Sequence, residues 1–268
     1  MKNIYLGALI VAGAAMMATG YAKVASAGEW GKYQVGDRRS GITYATPETR
    51  SMQEDDVENP GMSYVDTGAD LWKNVDGKAG KACASCHNDA AKSMKGVGTT
   101  FPKYNPDTKK MKSLEQQINS CRTERMKATA WKHESGQMLA MNIFVRHQSN
   151  GMPMNVSIDG PAVPFFVKGK EFFDARRGAL DMSCKNCHVD NAGNRIRANL
   201  LSEGQSNGFP TYRFKWQKPG SIHRRFRGCN KNVRAKPYDY DSDEYVNLEL
   251  YVAWRGRGLP VETPAVRN

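Results

Sequence analysis

Cys83-Ala84-Ser85-Cys86-His87 and Cys184-Lys185-Asn186-Cys187-His188 are two copies of one five-residue pattern, C-x-x-C-H. In this pattern each thiol can add across a vinyl group of a haem, and the adjoining imidazole can bind the haem iron. A structural zinc site is less consistent with the pattern, because zinc needs four ligands at one point and each copy supplies three. The motifs therefore predict two covalently bound c-type haems. The attachment cysteines and proximal histidine ligands would be Cys83, Cys86, His87, Cys184, Cys187 and His188.

The sequence around each motif is repeated in the same order, which indicates a duplicated domain. A glycine precedes each motif, and a Phe-Pro-x-Tyr element and a Gly-x-Pro element follow it. A single cysteine, Cys121 or Cys229, lies between the last two elements of each copy. The corresponding elements are Gly68 and Gly169, Phe101-Pro102-Lys103-Tyr104 and Phe209-Pro210-Thr211-Tyr212, and Gly151-Met152-Pro153 and Gly258-Leu259-Pro260.

This order matches class I cytochrome c domains, in which a first helix leads into the haem motif and a last helix closes the haem pocket. Apolar residues recur at helical spacing over 138–145 and 245–252, where the closing helices are expected. We therefore predict a mainly α fold of two tandem class I cytochrome c-like domains related by duplication, with an extended N-terminal arm. The predicted ranges are 28–60 for the arm, 61–154 for the first haem domain, 155–165 for a linker and 166–268 for the second haem domain.

Residues 1–27 have the features of a cleavable signal peptide. Lys2 is followed by an apolar stretch from Ile4 to Met17, and the segment ends in Ala25-Ser26-Ala27. The apolar stretch is short for a membrane-spanning helix, and no later segment is long and apolar enough to span. We therefore expect a periplasmic protein without a membrane span that begins at Gly28 after cleavage.

The formal charge of the chain is +12, from 39 Lys and Arg against 27 Asp and Glu. A basic surface often indicates nucleic-acid binding, but an exported protein rarely meets nucleic acid. An anionic small substrate or an acidic protein partner is therefore the better explanation. Most of the basic residues are expected to lie on an ordinary solvated surface.

Cys121 and Cys229 lie where class I cytochromes carry the sixth iron ligand. A thiolate there would give His/Cys coordination, which stabilises ferric iron and lowers the reduction potential relative to His/Met. A disulfide between the two cysteines is the alternative, since disulfides are common in oxidising compartments. Ligation is favoured, because equivalent positions in two haem domains would have to face each other to form a disulfide.

The two lone cysteines differ in their local charge. The stretch from His223 to Lys231 places four arginines and lysines around Cys229, whereas Cys121 has Glu124 close by. Positive charge favours the thiolate and attracts a dianion. We therefore expect the second haem domain to be catalytic and the first haem to be a structural or electron-handling group.

Other polar residues give weaker signals. Asp241 and Glu244 have the spacing of a capping box that opens the last helix. Met152 has Leu259 as its counterpart in the second copy, so it is interpreted as a packing or exposed residue. Three histidines outside the motifs are expected to be core, interface or surface residues: His133, His147 and His223.

The chain resembles the SoxA family, the larger haem subunits of the SoxAX cytochromes of sulfur-oxidising bacteria. The resemblance covers nearly the whole chain after the signal peptide and includes both haem motifs. Its further marks are the segments 47–56, 59–62, 225–229 and 248–260.

The resemblance implies the oxidative joining of thiosulfate to a cysteine of the carrier SoxYZ, with two electrons passing to cytochrome c. This is the activity of an L-cysteine S-thiosulfotransferase. By position, Cys229 would be the distal ligand of the second haem and the persulfide-bearing catalytic residue. Arg225 would bind thiosulfate, and Cys121 would be the distal ligand of the first haem. A monohaem SoxX subunit would complete a heterodimer.

Two other functions fit the haem motifs. A thiosulfate dehydrogenase would couple two thiosulfates into tetrathionate and would need no carrier. A plain dihaem electron carrier would need no reactive thiol, and its sixth ligand would normally be methionine or histidine.

The two motifs give a direct prediction of haem content. Because thioether bonds survive denaturation, haem should stay attached to the chain during denaturing electrophoresis. A pyridine haemochrome assay is expected to report two haems per chain. A value near one would contradict the interpretation of the two motifs.

Overall fold

Two pairs of packed helices, one pair in each half of the chain, form the framework of the molecule. The computed structural model describes residues 29–268, and the predicted signal peptide, residues 1–27, lies outside the described residues. The prediction of a mainly helical chain is confirmed. The α-helices of the described part are α1 (Pro47–Glu54), α2 (Met62–Lys73), α3 (Ala84–His87), α4 (Ala90–Ser93), α5 (Leu114–Ser120), α6 (Gly136–His147), α7 (Val163–Asp174), α8 (Cys184–His188), α9 (Ile222–Asn232) and α10 (Asp243–Arg255).

Short strands connect the helices. Among the described residues, four antiparallel pairs are formed by consecutive strands, and β7 also pairs in parallel with the last strand, β9. The strands are β1 (Gln34–Val35), β2 (Arg38–Arg39), β3 (Lys103–Asn105), β4 (Lys110–Lys112), β5 (Arg195–Ile196), β6 (Asn199–Leu200), β7 (Thr211–Arg213), β8 (Lys218–Gly220) and β9 (Ala265–Arg267).

A glycine sets the close approach of the two helices in each pair. Helix α2 packs on α6, and α7 packs on α10. A Cβ atom on Gly68 would lie 2.4 Å from the Cβ of Phe144, and one on Gly169 would lie 2.0 Å from the carbonyl oxygen of Asn247. Any larger residue would force the helices apart, because the obstacle includes backbone that cannot move aside. The repeated glycine therefore marks the same helix crossing in both domains.

Serine caps begin the equivalent helices of both domains. Ser113 and Ser221 accept hydrogen bonds from backbone N–H groups at the starts of α5 and α9, and Ser135 and Ser242 do so at α6 and α10. Such caps satisfy donors that the first helical turn leaves free. The predicted capping box at Asp241 is therefore wrong: Ser242 is the cap, and Asp241 turns away with a φ of 60°.

The two domains meet through their Gly-x-Pro segments. The N–H of Met154 donates to the carbonyl of Leu259 at 2.8 Å, and the N–H of Gly258 donates to the carbonyl of Met154 at 2.9 Å. Met154 is 3% exposed, so this strand-like contact lies inside the molecule. Apolar side chains from both halves pack beside it: Met111, Val156, Ala162, Val246, Leu250, Ala253 and Val261.

The arm attaches to the second domain. Helix α1 contacts β9, and the Asn59 side chain donates to the carbonyl of Pro264 at 2.9 Å. Nearer its start, the N–H of Arg39 donates to the carboxylate of Glu203 at 3.0 Å. At the other domain junction, α7 begins at Val163 after a 3₁₀ turn over Gly160–Ala162, which places helix within the range expected for the linker.

A buried network of charged side chains joins the domains. Arg146 on α6 lies 3.5 Å from one carboxylate oxygen of Glu249 on α10, and His223 Nε2 lies 3.2 Å from the other. The ring of His133 stacks on that of His223 with centroids 5.0 Å apart, and its Nδ1 lies 2.9 Å from the carboxylate of Asp241. The network therefore ties a loop and a helix of the first domain to α9 and α10 of the second.

Hydrogen bonds orient both imidazoles. His223 Nδ1 accepts from the backbone N–H of Asp241 at 3.2 Å, so the proton of the neutral ring sits on Nε2, which faces Glu249. His133 uses both ring nitrogens, one toward the carboxylate of Asp241 and one toward the hydroxyl of Ser221 at 3.1 Å. His223 is fully buried, as expected for a core histidine, but its neighbours Glu249 and His133 come from sequence-distant segments that no local pattern indicates.

The network predicts a pH-dependent stability. Burial lowers the pKa of His133, but its hydrogen bond to Asp241 and the charge of Glu115 raise the pKa to about 9. A raised histidine pKa stabilises the fold fully below the unfolded value of 6.5, and this contribution disappears as the pH rises through about 9. The loss is at most about 3 kcal/mol. The free energy of unfolding in urea should be measured from about pH 6 to about pH 10. It should fall more steeply with pH for the parent protein than for His133→Gln. Parallel curves would contradict the prediction.

Candidate active site

The haem motif of the second domain lies against its lone cysteine. Helix α8 carries the motif, and α9 carries Cys229. The Cys229 sulfur lies within electrostatic reach of the His188 ring and of the thiols of Cys184 and Cys187. The fold therefore brings together the four residues of this domain that the sequence predicted as haem attachment sites and iron ligands.

The backbone fixes the orientation of the His188 ring. Its Nδ1–H donates to the carbonyl of Ser202 at 2.7 Å. A Cβ atom on Gly204 would lie 2.8 Å from His188 Cγ, so only glycine lets this loop approach the ring so closely. Because Nδ1 is engaged as a donor, Nε2 is left as the free ring nitrogen that can act as a ligand.

Cys229 is chemically distinct from the motif cysteines. Burial raises the pKa of its thiol, but the charges of Arg225, His188 and Arg213 outweigh burial and bring the pKa down from 9.0 to about 7. By contrast, burial and the neighbouring Cys229 raise the pKa of Cys184 to about 12. A substantial fraction of Cys229 is thus thiolate near neutral pH, and the thiolate is the nucleophilic and metal-binding form.

Helix α9 presents Arg225 beside Cys229 because the two are four residues apart on one helix face. Its apolar residues Ile222 and Phe226 are buried in the core of the second domain. The helix is therefore anchored by its apolar face while basic residues surround the thiol. The predicted relation between Arg225 and Cys229 matches this placement, and thiosulfate binding by Arg225 stays a prediction.

The first domain repeats this arrangement with different neighbours. The charge of Cys121 acts on the thiol of Cys83, whose pKa is raised by burial and by Cys121. Trp72 lies 5.8 Å from the ring of His87, measured between ring centroids. The side-chain amide of Gln117 donates to the Cys121 sulfur at 3.3 Å. The lone sulfur here is held by a neutral hydrogen-bond donor.

A cavity of about 310 Å³ opens beside Cys121. Its charged residues are of both signs, unlike the basic surroundings of Cys229. The lining residues are Phe101, Lys103, Tyr104, Asn105, Pro106, Asp107, Lys112, Gln117, Ser120, Cys121, Glu124 and Arg125.

A π-helical turn over Cys121–Met126 distinguishes the first site from α9, which is a regular α-helix. Both segments end at a left-handed residue, Lys127 or Arg234. Lys127 lies six positions after Cys121, but Arg234 lies five positions after Cys229. The extra residue of the first domain is therefore absorbed in the wider turn, as is typical of π-helices at functional positions.

The donor sets fit c-type haem in both domains. Each combines two motif thiols, one imidazole and one further thiol, which are the groups used for thioether attachment and axial ligation. All six cysteines are free thiols, so the alternative of a disulfide between Cys121 and Cys229 is not observed. The axial roles of His87, Cys121 and His188 stay predictions.

Some residues near the two sites were not predicted from the sequence. Ser202 and Gly204 lie in a polar loop with no motif of its own. Arg213 and Gln117 could have been found by extending the repeat, because Arg213 directly follows the second Phe-Pro-x-Tyr element and Gln117 precedes Cys121 by one helical turn. His147, predicted to pack near a haem or the domain interface, lies at the interface, where its Nδ1 is 3.1 Å from the carbonyl of Thr263.

Known proteins are similar to this chain in both sequence and fold. The family model for the SoxA/TsdA cytochrome c domain matches residues 67–154 and 168–261. A relative from Pseudaminobacter salicylatoxidans is 48% identical over 230 residues, 85% of this chain and 80% of its own. A relative from Paracoccus pantotrophus is 45% identical over 229 residues, 85% of this chain and 79% of its own. Both are named L-cysteine S-thiosulfotransferase subunit SoxA.

The crystal structure of SoxXA from P. pantotrophus superposes with a TM-score of 0.83. The sequences are 45% identical, and the match covers 86% of this chain and 87% of that one. These matches confirm the predicted fold class of tandem cytochrome c-like domains and the predicted resemblance. The chain belongs to the SoxA family of cytochrome c proteins.

Proposed function

We propose that this chain is the dihaem subunit of an L-cysteine S-thiosulfotransferase that joins thiosulfate to a cysteine of a SoxYZ carrier. The observation that carries the proposal is the Cys229 site, where a thiol of lowered pKa lies beside Arg225 and the motif histidine His188. A plain electron carrier needs neither a reactive thiol nor an arginine beside it. The names of the family relatives support the same activity.

The reaction is an oxidation that forms one S–S bond. The carrier thiolate and the outer sulfur of thiosulfate become joined, which gives a cysteine S-thiosulfonate and releases two electrons. Starting from the thiolate and the dianion, charge balances because the product carries one negative charge and the electrons carry two. Cytochrome c is the electron acceptor.

The residues around Cys229 have distinct tasks in this reaction. The planar guanidinium of Arg225 matches pairs of sulfonate oxygens and would bind that end of thiosulfate. The Cys229 sulfur would then lie next to the outer sulfur of thiosulfate, and by family resemblance Cys229 would be the residue that carries a persulfide. Arg225 and His188 favour the thiolate of Cys229, which is the nucleophilic form of the residue.

Each domain would hold one covalent haem c. Cys83 and Cys86 would attach the first haem, with His87 and Cys121 as its axial ligands. In the second domain, His188 and Cys229 would be the axial ligands, and the attachment residues would be Cys184 and Cys187. When bound, haem supplies a one-electron acceptor next to the reactive thiol.

The proposal also includes a cellular location and a partner subunit. Residues 1–27 would direct the chain to the periplasm and be removed there. Within residues 29–268, no helix has the length and apolar character needed to cross a lipid bilayer. A SoxX-like monohaem subunit would form a heterodimer with this chain and pass electrons to cytochrome c.

The product separates the candidate functions. The assembled heterodimer is incubated with thiosulfate and oxidised cytochrome c, with or without the carrier protein. We expect cytochrome c reduction to depend on the carrier and the carrier mass to increase by one thiosulfonate group. Tetrathionate formed without carrier would instead indicate a thiosulfate dehydrogenase, and the absence of any sulfur product would indicate an electron carrier.

The two lone cysteines should differ in their contribution to turnover. Cys121→Ala should change the absorption spectrum of the first haem but leave turnover measurable, since Cys121 has mixed charges around it and lies in the other domain. Cys229→Ala should abolish turnover, because it removes the reactive thiol. Equal loss of activity in two correctly assembled variants would overturn this asymmetry.

Arg225→Lys tests the substrate clamp. The substitution keeps the positive charge but loses the planar pair of donors, so turnover should fall by about tenfold. Haem content and spectrum should match those of the parent. If the variant equals the parent in both turnover and thiosulfate dependence, Arg225 does not bind the substrate, and pairing with a haem propionate becomes its better explanation.

A further inference from the structure

Arg213 is a second arginine close enough to Cys229 for its charge to lower the pKa of that thiol. It ends β7, and its Nε donates to the main-chain oxygen of Asn268 at 2.8 Å while its guanidinium lies 5.0 Å from the ring centroid of Trp216. Its charge acts on Arg225 and on the Cys229 sulfur. Two half-buried arginines therefore share the surroundings of one thiol.

Arg213 donates from two guanidinium nitrogens to the main-chain oxygen of Asn268, but within the described part of the chain neither arginine has an acidic side chain as a partner. Across residues 29–268, neither Arg213 nor Arg225 forms an ion pair with an Asp or Glu side chain. Like charges that are partly removed from water repel each other, which costs stability unless an anion is bound. A cluster of basic side chains without acidic side chains beside it favours the binding of an anion.

The first domain provides an internal comparison. Arg213 directly follows the second Phe-Pro-x-Tyr element, and the residue at that position of the first domain is Asn105. Arg225 precedes the lone cysteine by one turn, and its counterpart is Gln117. Asn105 and Gln117 both line the cavity beside Cys121. The duplicated fold thus has amides at the two positions where the second site has guanidinium groups.

We infer that Arg213 is a second substrate-binding residue of the Cys229 site, and that the pair Arg213 and Arg225 restricts thiosulfate binding to the second domain. The inference rests on the proposed function for the identity of the anion. Two positive charges complement a dianion, and Arg213 adds charge beside the arginine predicted to hold the sulfonate group. At Cys121 the amide of Gln117 is engaged with the sulfur and carries no charge for an anion.

The test compares thiosulfate binding and turnover in three variants of the haem-loaded heterodimer. Arg213→Gln removes the charge, Arg213→Lys keeps it, and Arg176→Gln removes an exposed arginine that pairs with Asp181. Calorimetry with thiosulfate alone should give a Kd weakened by about tenfold or more in Arg213→Gln, the range expected for losing one charge-assisted contact. The KM for thiosulfate should rise in parallel. Arg213→Lys should recover most of the affinity, and Arg176→Gln should match the parent.

Two results would overturn the role of Arg213. Parent-like binding by Arg213→Gln would exclude a contact with the anion. A Lys variant as weak as the Gln variant would instead assign Arg213 to anchoring the segment at Asn268, because lysine keeps the charge but cannot reproduce the guanidinium hydrogen bonds. If Arg213→Gln assembles poorly, as judged by haem content, the Lys variant and the KM comparison decide.

Introducing two arginines at the equivalent positions of the first domain tests the role of the pair. The double variant Asn105→Arg/Gln117→Arg should raise the number of thiosulfate ions bound per chain from one to two, and an unchanged number would overturn the assignment of specificity to these positions. Failure of the proposed function gives a different result. In that case the parent would bind thiosulfate and respond to Arg213 substitution, yet would not modify the carrier protein.

Discussion

The close crossing of the first and last helices in each domain is the constraint on which the sites depend. Gly68 and Gly169 let α2 meet α6 and α7 meet α10 at backbone contact. The haem motif follows the first helix of each pair, and the helical segment with the lone cysteine precedes the last. The helix crossing therefore sets how close His188 lies to Cys229. The same geometry places Cys83 near Cys121 in the first domain.

The features predicted from sequence are those encoded within one repeat. The motifs, the crossing glycines and the closing helices are local patterns that occur twice, and a duplicated pattern strengthens each assignment. The regular spacing also placed Cys229 beside Arg225, since residues four apart share a helix face. The π-turn after Cys121 also has a cause in the sequence, which is the single extra residue before Lys127. This residue is recognised only when Lys127 is matched with its structural counterpart Arg234.

The features not predicted depend on residues that are distant in sequence. Two such contacts join segments of different domains: the stacking of His133 on His223 and the contact of Arg146 with Glu249. No local sequence pattern predicts them. Asp241 has the spacing of a helix cap, but its carboxylate is better satisfied by His133 than by free backbone N–H groups. Helix α1 was missed for another reason: its signal is a Thr-Pro start at Thr46, without apolar periodicity.

The interdomain network gives the first domain a part in the chemistry of the second. His223 lies on α9, the helix that carries both Arg225 and Cys229, and it is held by Glu249, which Arg146 of the first domain also contacts. The first domain thus braces the helix of the reactive thiol. The duplicated domains have similar frames, which differ in the π-turn after Cys121 and in a few side chains around the lone sulfur. The first domain, which has Asn105 and Gln117 where the second has Arg213 and Arg225, therefore still supports α9 through these contacts.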